Sequence, residues 1–337
     1  MDSLTQIALG SSVSVALLHK QIGIRKAIVL GAVLGTAPDL DVLIERGDPL
    51  SNMTGHRTET HALFYLALLS PLLGWLLARY WSRPDWWVRF TLAVGAVLIS
   101  HPLLDSLTIY GTQLALPFSN TPYGTGSVFV IDPLYTLLLL LGVGSCLARP
   151  ASRGNLYGLS LSSVYLLLGL ATQWLVSEKA TAQLAKEQQP SAHVLVTATP
   201  FNTALWRVLV MQENQYLEGY YSVFDGDNPI RWQAFARDSA LRTQFATLTA
   251  VKQLDWFSAG FYQLEQQQQQ LVLTDLRMGM APYYNFRFVV AKLQQGQWQI
   301  VAVEQAQRPA FNRQSLTWLW QRMWSQTELP LSQWPGI

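Results

Sequence analysis

Four long apolar segments with almost no charged residues constrain the fold of this chain more than any other feature. They run over His61–Ala78, Val88–Leu107, Ser127–Ala148 and Leu156–Val176. Each is close to the ~20 residues that a membrane-spanning helix needs. Charged residues make up only 13% of the chain, whereas soluble domains typically contain about 25%. The sequence therefore predicts a membrane protein.

Two earlier segments, Leu4–Leu18 and Ala27–Ile44, are also apolar but less regular. The first is short, and the second has Pro38 and two aspartates near its end. Such interruptions are typical of tilted, broken or re-entrant helices. We therefore expect an α-helical membrane domain of about six helices over residues 1–177, in which the first two helices are broken or re-entrant.

The basic residues of the short loops predict how the helices are oriented. Cytoplasmic loops carry an excess of Lys and Arg. The loops after the first, third and fifth apolar segments are the basic ones, and their residues are Lys20, Arg25, Lys26, Arg79, Arg83, Arg89, Arg149 and Arg153. These loops are expected inside, so the chain is expected to cross a bacterial inner (cytoplasmic) membrane six times with both ends outside.

Residues 178–337 have the composition of a soluble domain. This part is rich in Gln, contains most of the charged residues and has no apolar run long enough to span a membrane. Alternating apolar and polar residues predict strands, which cover His193–Thr199, Leu205–Met211, Tyr216–Phe224, Gly260–Glu265, Gln270–Leu276, Asn285–Lys292 and Trp298–Val303. Arg237–Thr247 and Arg313–Ser325 are predicted helices. We expect an α+β domain with an antiparallel sheet, located in the periplasm.

Net charge and cysteine content exclude some classes of function. The chain has 23 basic and 21 acidic side chains and a formal net charge of +2, so a nucleic-acid partner held by a basic surface is not expected. The single cysteine, Cys146, allows neither an intrachain disulfide nor a cysteine-based zinc site. A metal site in this chain would have to use His, Asp or Glu.

Six ionisable residues lie in or beside the apolar segments, where such groups are costly and mark functional sites. On the predicted orientation all six fall near the outer boundary, and they are Asp39, Asp41, His56, His61, His101 and Asp105. His101 and Asp105 are four residues apart, which places both on one face of a helix. This set predicts a divalent metal site, with Zn²⁺ as the first choice and Mn²⁺ or Fe²⁺ as alternatives. A proton or ion pathway and purely structural polar packing remain the competing interpretations.

Three further carboxylates are candidates for the same region. Glu59 lies between two of the histidines and is the candidate catalytic base. It would fit equally well as a hydrogen-bond partner of a metal ligand or as a solvated carboxylate at the start of a helix. Asp2 and Asp132 also fall near the outer boundary. For Asp132 the following proline favours a role at the start of the fifth helix. Gly31 and Gly35 form a small-xxx-small pattern that predicts a closely packed neighbouring helix.

Several stretches of this sequence resemble the YdjM-type bacterial inner-membrane metal-dependent hydrolases. They are Met1–Gln6, Gly35–Asp41, His56–His61, His101–Asp105, Asp105–Phe118 and Ile131–Tyr135. The resemblance covers roughly residues 1–175, while Thr199–Asn202 and Asp275–Gly279 are similar to the soluble extension of longer members.

The resemblance implies a membrane-embedded hydrolase site distantly similar in pattern to zinc-dependent phospholipase C. By position, the implied metal ligands are Asp39, His56, His61, His101 and Asp105, with Asp41 as a further member. Thr58-Glu59 departs from the smaller or aromatic residues that many members have there, which weakens a general catalytic role for Glu59.

These observations predict a metal-dependent hydrolase that uses a metal-activated water on an ester or phosphoester. The expected partners are the lipid bilayer and a lipid or phosphoester substrate at the outer face. The alternative is a non-enzymatic metal-binding protein or an ion- or proton-coupled transporter that uses the same His and Asp residues. A third hypothesis makes the soluble domain a periplasmic binding module on a helical anchor.

Overall fold

A computed structural model describes residues 1–189, 193–308 and 312–335. The chain forms two compact units. Unit 1 comprises Met1–Ile44, His56–Leu170 and Pro200–Asn202, and unit 2 comprises Glu45–Gly55, Ala171–Thr199 and the described residues of Thr203–Ile337. Helices dominate the first unit and antiparallel sheets the second. The predicted fold class, a helical domain followed by an α+β domain, is confirmed.

The N-terminal half of the chain is helical. Its α-helices are α1 (Ser3–Ile22), α2 (Ile24–Thr36), α3 (Pro49–Gly55), α4 (Leu63–Tyr80), α5 (Trp87–Ser106), α6 (Pro133–Ala148) and α7 (Gly154–Lys186). Short 3₁₀ helices cover Ala37–Leu43, Glu59–His61 and Pro84–Trp86. Within the described residues, three helical stretches are long and apolar enough to cross a membrane: Leu63–Tyr80, Pro84–Ser106 and Gly154–Lys186. Helix α6 is apolar but shorter.

The second apolar segment is broken at Pro38, as predicted. Helix α2 ends at Thr36, and the chain continues as the 3₁₀ helix Ala37–Leu43. Proline lacks a backbone N–H and cannot make the i→i−4 hydrogen bond of a regular α-helix, so α2 does not continue through Pro38. Ala37 itself keeps helical dihedrals (φ −56°, ψ −40°), and the chain continues as a 3₁₀ helix. The change of helix type places Asp39 and Asp41 on a short turn rather than on a regular helix.

The predicted span Ser127–Ala148 is wrong at its start. Helix α6 begins only at Pro133, because the side chain of Asp132 accepts a hydrogen bond from the backbone N–H of Tyr135 (3.0 Å) and caps the helix. The predicted role of Asp132 at a helix start is therefore confirmed. Helix α7, in contrast, continues past the predicted end at Val176 to Lys186.

Helices α1 and α2 pack backbone to backbone at their glycines. A Cβ atom added to Gly31 would collide with the carbonyl oxygen of Gly10, and one added to Gly35 would lie 2.7 Å from that of Gln6. The close approach expected from the small-xxx-small pattern is confirmed. This contact holds the C-terminal end of α2 against α1.

Unit 2 contains two four-stranded antiparallel sheets and a small ribbon. Its strands are β1 (His193–Ala198), β2 (Leu205–Met211), β3 (Gln215–Ser222), β4 (Arg231–Ala236), β5 (Tyr262–Gln267), β6 (Gln270–Asp275), β7 (Gly279–Met280), β8 (Tyr283–Tyr284), β9 (Arg287–Gln294) and β10 (Gln297–Gln305). The sheet orders are β1-β2-β3-β4 and β10-β9-β6-β5, and β7 pairs with β8. Besides α3 and the end of α7, this unit contains the helices α8 (Ser239–Phe245), α9 (Thr249–Ser258) and α10 (Arg313–Met323).

The last turns of α7 form part of the core of unit 2. Val176, Ala180 and Leu184 are buried against Trp206 and Val208 of β2. The β1–β2 register places Val196 opposite Val208, so both strands contribute to this core. The last turns of α7 thereby cover the first sheet.

Candidate metal centre

Four side chains from three separate parts of unit 1 meet in one group. They are Asp39 of the 3₁₀ helix after α2, His61 at the end of the next 3₁₀ helix, and His101 and Asp105 of α5. Each offers one ligand atom, and these four atoms lie within 4.8 Å of one another. His61, His101 and Asp105 are fully buried, whereas the side chain of Asp39 is 20% exposed.

The spacing of the four ligand atoms fits a tetrahedral metal ion. The two imidazole Nε2 atoms are 3.1 Å apart. Oδ1 of Asp39 lies 3.3 Å from each of them, and Oδ2 of Asp105 lies 3.4 Å from each. Metal–ligand distances of about 2.0–2.1 Å give a regular tetrahedron edges of about 3.3–3.4 Å. Four of these five distances match the edges of such a tetrahedron, and the Nε2–Nε2 distance of 3.1 Å is slightly shorter. The sixth edge, between the two carboxylate oxygens, is no longer than 4.8 Å.

The hydrogen bonding of these atoms also fits a metal ion. Among the described residues, Oδ1 of Asp39 and Oδ2 of Asp105 are buried without a hydrogen-bond partner. Buried carboxylate oxygens normally have partners, because an unpaired one is costly. Both oxygens point at the imidazole nitrogens, so a single divalent ion would satisfy all four atoms. We conclude that the residues present fit the metal that the sequence predicts.

Hydrogen-bond partners at Nδ1 hold each imidazole ring so that its Nε2 atom faces the other ligand atoms of the four-residue group. Nδ1 of His101 donates to the carbonyl oxygen of Gly35 (2.6 Å). Nδ1 of His61 lies 2.9 Å from the hydroxyl of Thr60, which donates to Oδ2 of Asp41 (2.8 Å). With Nδ1 protonated in both rings, each Nε2 keeps its lone pair for a metal ion. The close contact of α1 and α2 therefore matters to the site, since it positions Gly35.

Asp41 and His56 lie beside the four-residue group rather than in it. Nδ1 of His56 donates to Oδ1 of Asp41 (2.6 Å), and the backbone N–H of Arg57 donates to Oδ2 (2.9 Å). Oδ2 of Asp41 is 3.7 Å from Nδ1 of His61. The structure thus places Asp41 behind one imidazole, where a carboxylate orients a histidine ligand.

Asp105 is held by the start of the chain through its second oxygen. Nε2 of Gln6 donates to Oδ1 of Asp105 (3.0 Å), and the amino group of Met1 contacts the same oxygen. Oδ2 remains directed at the two imidazoles. Gln6 was not identified as a site residue from the sequence, because a glutamine in an apolar helix gives no signal by itself.

The remaining predicted site residues lie elsewhere. Glu59 is exposed and outside the four-residue group, so its role as catalytic base stays a prediction. Asp2 caps α1 by accepting from the backbone N–H of Thr5 (3.1 Å). Asp132 caps α6 and accepts from the hydroxyl of Tyr165 (2.7 Å). The two aspartates fix the starts of helices in unit 1.

Arg57 is a site residue that the sequence reasoning missed. Its side chain is buried, and its Nε atom lies 3.2 Å from Oδ2 of Asp105. A signal existed, because the criterion that selected the acids and histidines, an ionisable group beside an apolar segment, applies equally to an arginine.

Fold and site together define a class: a helical membrane protein with a candidate His/Asp metal centre. A family model described as YdjM inner membrane protein matches residues 1–176. The chain belongs to this family. It is also 24% identical over 177 residues to the uncharacterized protein YfhP of Bacillus subtilis (strain 168), covering 50% of this chain and 51% of that protein. The chain thus spans about half the length of this relative. A search of solved structures gave no match.

Proposed function

We propose that this protein is a membrane-embedded metal-dependent hydrolase that acts on an ester or phosphoester, lipid-borne and presented at the outer face of the membrane. One observation carries the proposal: the four ligand atoms of Asp39, His61, His101 and Asp105 have the spacing of a tetrahedral metal site. Because the four protein ligands fill a tetrahedral shell, the reactive water would have to bind as a fifth ligand on the exposed side of Asp39. An ion that holds such a water would lower its pKa and polarise the bond under attack. Zn²⁺ is the first choice because imidazole and carboxylate ligands suit it, and Mn²⁺ or Fe²⁺ are alternatives.

The chain's own residues perform the remaining tasks in this proposal. His101 and His61 keep their rings fixed through Gly35 and Thr60, so little reorganisation accompanies binding. The partial exposure of Asp39 (20%) marks the side from which a substrate reaches the group. Glu59 remains the proposed base, with a role to be tested directly.

The surroundings of Asp39 and Asp41 support a lipid-borne substrate. Both aspartates lie on a 3₁₀ helix in which Pro38 is buried but several apolar side chains are strongly exposed, namely Leu40, Val42, Leu43 and the adjoining Ile44. An exposed apolar cluster of this kind is unusual on a surface that faces only water. We propose that it contacts the acyl chains of the bilayer and of the substrate.

The proposed location has its own test. The loop charges support a centre at the outer face and a periplasmic position for residues 178–337. In a Cys146→Ser background, Gln268→Cys and Arg83→Cys place one exposed cysteine in each of two loops. We expect a membrane-impermeant maleimide to label the first variant in spheroplasts and to label the second only after lysis. The reverse pattern would invert the proposed topology.

The proposed activity is tested by metal content followed by hydrolysis. The full chain, purified in detergent and supplied with Zn²⁺, Mn²⁺ or Fe²⁺, is measured by elemental mass spectrometry. We expect about one ion per chain, lost in His61→Ala and His101→Ala but retained in His193→Ala, which removes a histidine of β1.

Hydrolysis of lipid and soluble esters by the metal-loaded protein then separates the two leading functions. Turnover that disappears in His61→Ala and persists in His193→Ala supports the hydrolase. Bound metal with proton- or ion-coupled flux into vesicles, and no turnover, would favour the transporter. Absence of metal from the supplemented wild type would refute the metal centre itself.

A further inference from the structure

Arg57 has a backbone conformation that only its surroundings can enforce. Its φ angle is 64°, in the left-handed region that non-glycine residues rarely adopt. The N–H of Arg57 donates to Oδ2 of Asp41 (2.9 Å), and its carbonyl accepts from the N–H of Gln113 (3.0 Å). Strained residues of this kind cluster at functional sites, where the neighbouring structure maintains them. The strain here directs one particular side chain towards the metal centre.

The guanidinium of Arg57 borders the four-residue group. Nε lies 3.2 Å from Oδ2 of Asp105, the oxygen that faces both imidazoles. Nη1 donates to the hydroxyl of Thr108 (3.3 Å), and the guanidinium carbon lies 4.8 Å from the centre of the Tyr110 ring. The side chain is about 5% exposed. A planar cation is therefore held rigidly between an aromatic ring and a proposed metal ligand.

One donor of this cation has no hydrogen bond. Among the residues that the structure describes, Nε of Arg57 is buried and lacks a hydrogen-bond partner, although it lies within ion-pair distance of Asp105. A buried guanidinium donor is costly to leave unpaired. This atom lies at the edge of the metal centre, 3.2 Å from Oδ2 of Asp105, so an acceptor brought by a ligand would satisfy it.

The charge balance favours an anionic ligand. The carboxylates of Asp39 and Asp105 together neutralise a divalent ion, and the two imidazoles are neutral when they act as ligands. Arg57 and the amino group of Met1, both within ion-pair distance of Asp105, then add positive charge, whereas Asp41 adds one negative charge beside His61. The balance stays positive. A carboxylic ester carries no charge to balance it, whereas a phosphoester carries at least one negative charge.

We propose that Arg57 binds a phosphoryl oxygen of the substrate, so that the hydrolase acts on phosphoesters and not on carboxylic esters. This inference rests on the proposed function. In the reaction, a P–O bond forms to the water oxygen and the P–O bond to the alcohol oxygen breaks. One proton of the water goes to the departing alcohol oxygen, and the other passes from the new phosphate oxygen to solvent. Arg57 transfers no atom and stabilises the charge on the phosphoryl oxygens.

The chemistry of the side chain makes the proposal specific to arginine. A planar guanidinium can present Nε to a phosphoryl oxygen while Nη1 stays bonded to Thr108, whereas the ammonium of lysine is a point charge. Lysine at position 57 would keep the charge but lose this geometry. The alternative role for Arg57, orienting Asp105 alone, predicts a defect in metal binding instead.

Inorganic phosphate is the probe that tests the proposal. Calorimetric titration of the metal-loaded full chain in detergent is compared for wild type, Arg57→Gln, Arg57→Lys and Arg83→Gln, the last of which removes an exposed arginine distant in sequence from the centre. We expect metal content to stay near one ion per chain in all four proteins. The Kd for phosphate should rise about 10-fold or more in Arg57→Gln, as for loss of a hydrogen bond to a charged group, and should also rise in Arg57→Lys but not in Arg83→Gln.

The outcomes separate this inference from the proposed function. An unchanged phosphate affinity in both Arg57 variants, with metal retained, would overturn the phosphoryl role and leave the metal centre intact. Loss of metal in both variants would assign Arg57 to positioning Asp105 and would also overturn it. If Arg57→Gln does not fold, Arg57→Lys alone decides between these results. No metal in the wild type would instead refute the proposed function.

Discussion

The substitution Asp41→Asn tests whether Asp41 orients a ligand or is a ligand itself. The Asp41 carboxylate accepts hydrogen bonds from His56, from the backbone of Arg57 and from Thr60. The Thr60 hydroxyl links it to Nδ1 of His61. Asparagine keeps the shape of the side chain but replaces one accepting oxygen by an N–H donor. The hydrogen-bonded chain from Asp41 through Thr60 to His61 is then broken or reversed.

The expected loss of metal affinity follows from the energy of one such bond. A hydrogen bond to a charged group contributes about 1.5–3 kcal/mol, and about 1.4 kcal/mol corresponds to a tenfold change in Kd. Asp41→Asn should therefore weaken metal binding about 10- to 100-fold, the range known for groups behind a metal-bound histidine. Removing a ligand should cost more: a four-ligand zinc site worth about 10–16 kcal/mol loses roughly a quarter, or two to three orders of magnitude, in His101→Ala.

The assay is competition for Zn²⁺ between the full chain in detergent and a calibrated chelating indicator at fixed pH. Asp85→Asn is the matched control, because Asp85 is an exposed carboxylate paired with Arg83. An Asp41→Asn defect as large as that of His101→Ala would make Asp41 a ligand. An affinity equal to that of Asp85→Asn would refute the orienting relay.

Three further predictions concern packing, pH and catalysis. Gly35→Ala places a Cβ atom 2.7 Å from a carbonyl oxygen of α1 and should destabilise the fold by about 1–3 kcal/mol. Gly144→Ala is the control, because a Cβ atom there meets open space and should not destabilise the fold. Thermal unfolding and metal content of both variants check this prediction. Burial raises the pKa of Asp225, but hydrogen bonds from Arg322 outweigh it and lower the pKa below its usual value. The stabilisation by this pair is present above about pH 4 and is lost as the pH falls through the lowered pKa. Because the pair is only partly buried, Asp225→Asn should lose about 1–2 kcal/mol near neutral pH and show a smaller acid dependence in denaturant titrations. Glu59→Gln should leave metal content unchanged and, if Glu59 is the base, lower kcat about 100-fold or more; unchanged kcat would remove it from the mechanism.

The sequence predicted most helices and strands in which the apolar residues follow a single periodicity. The strand Leu205–Met211 was predicted with the bounds that the structure shows. The strand β4 (Arg231–Ala236) was missed, because it has no strict apolar alternation and its residues are mostly partly exposed. Helix α9 (Thr249–Ser258) was missed although its buried residues, Ala250, Val251, Leu254, Phe257 and Ser258, recur with helical spacing.

The site was predicted as a set of residues, not as an arrangement. Sequence reasoning selected six histidines and aspartates near one membrane boundary, and all four residues of the metal group are among them. It could not separate the group from Asp41 and His56, because spacing along the chain does not state which oxygen faces which nitrogen. It also passed over Arg57, whose relation to Asp105 spans 48 positions of sequence and exists only in the folded chain.

The sequence by itself determined the membrane environment of this protein and the residue types that can serve as its metal ligands. Apolar length requires membrane helices, the proline at position 38 breaks α2, and the lack of further cysteines leaves His and carboxylates as metal ligands. The tertiary structure alone decided which of these residues meet. Close packing of glycines sets the position of Gly35 and so the ring of His101, and long-range contacts direct two unpaired carboxylate oxygens at two imidazoles. Distances of a few ångströms between remote residues depend on the packing of whole helices, which no local pattern encodes.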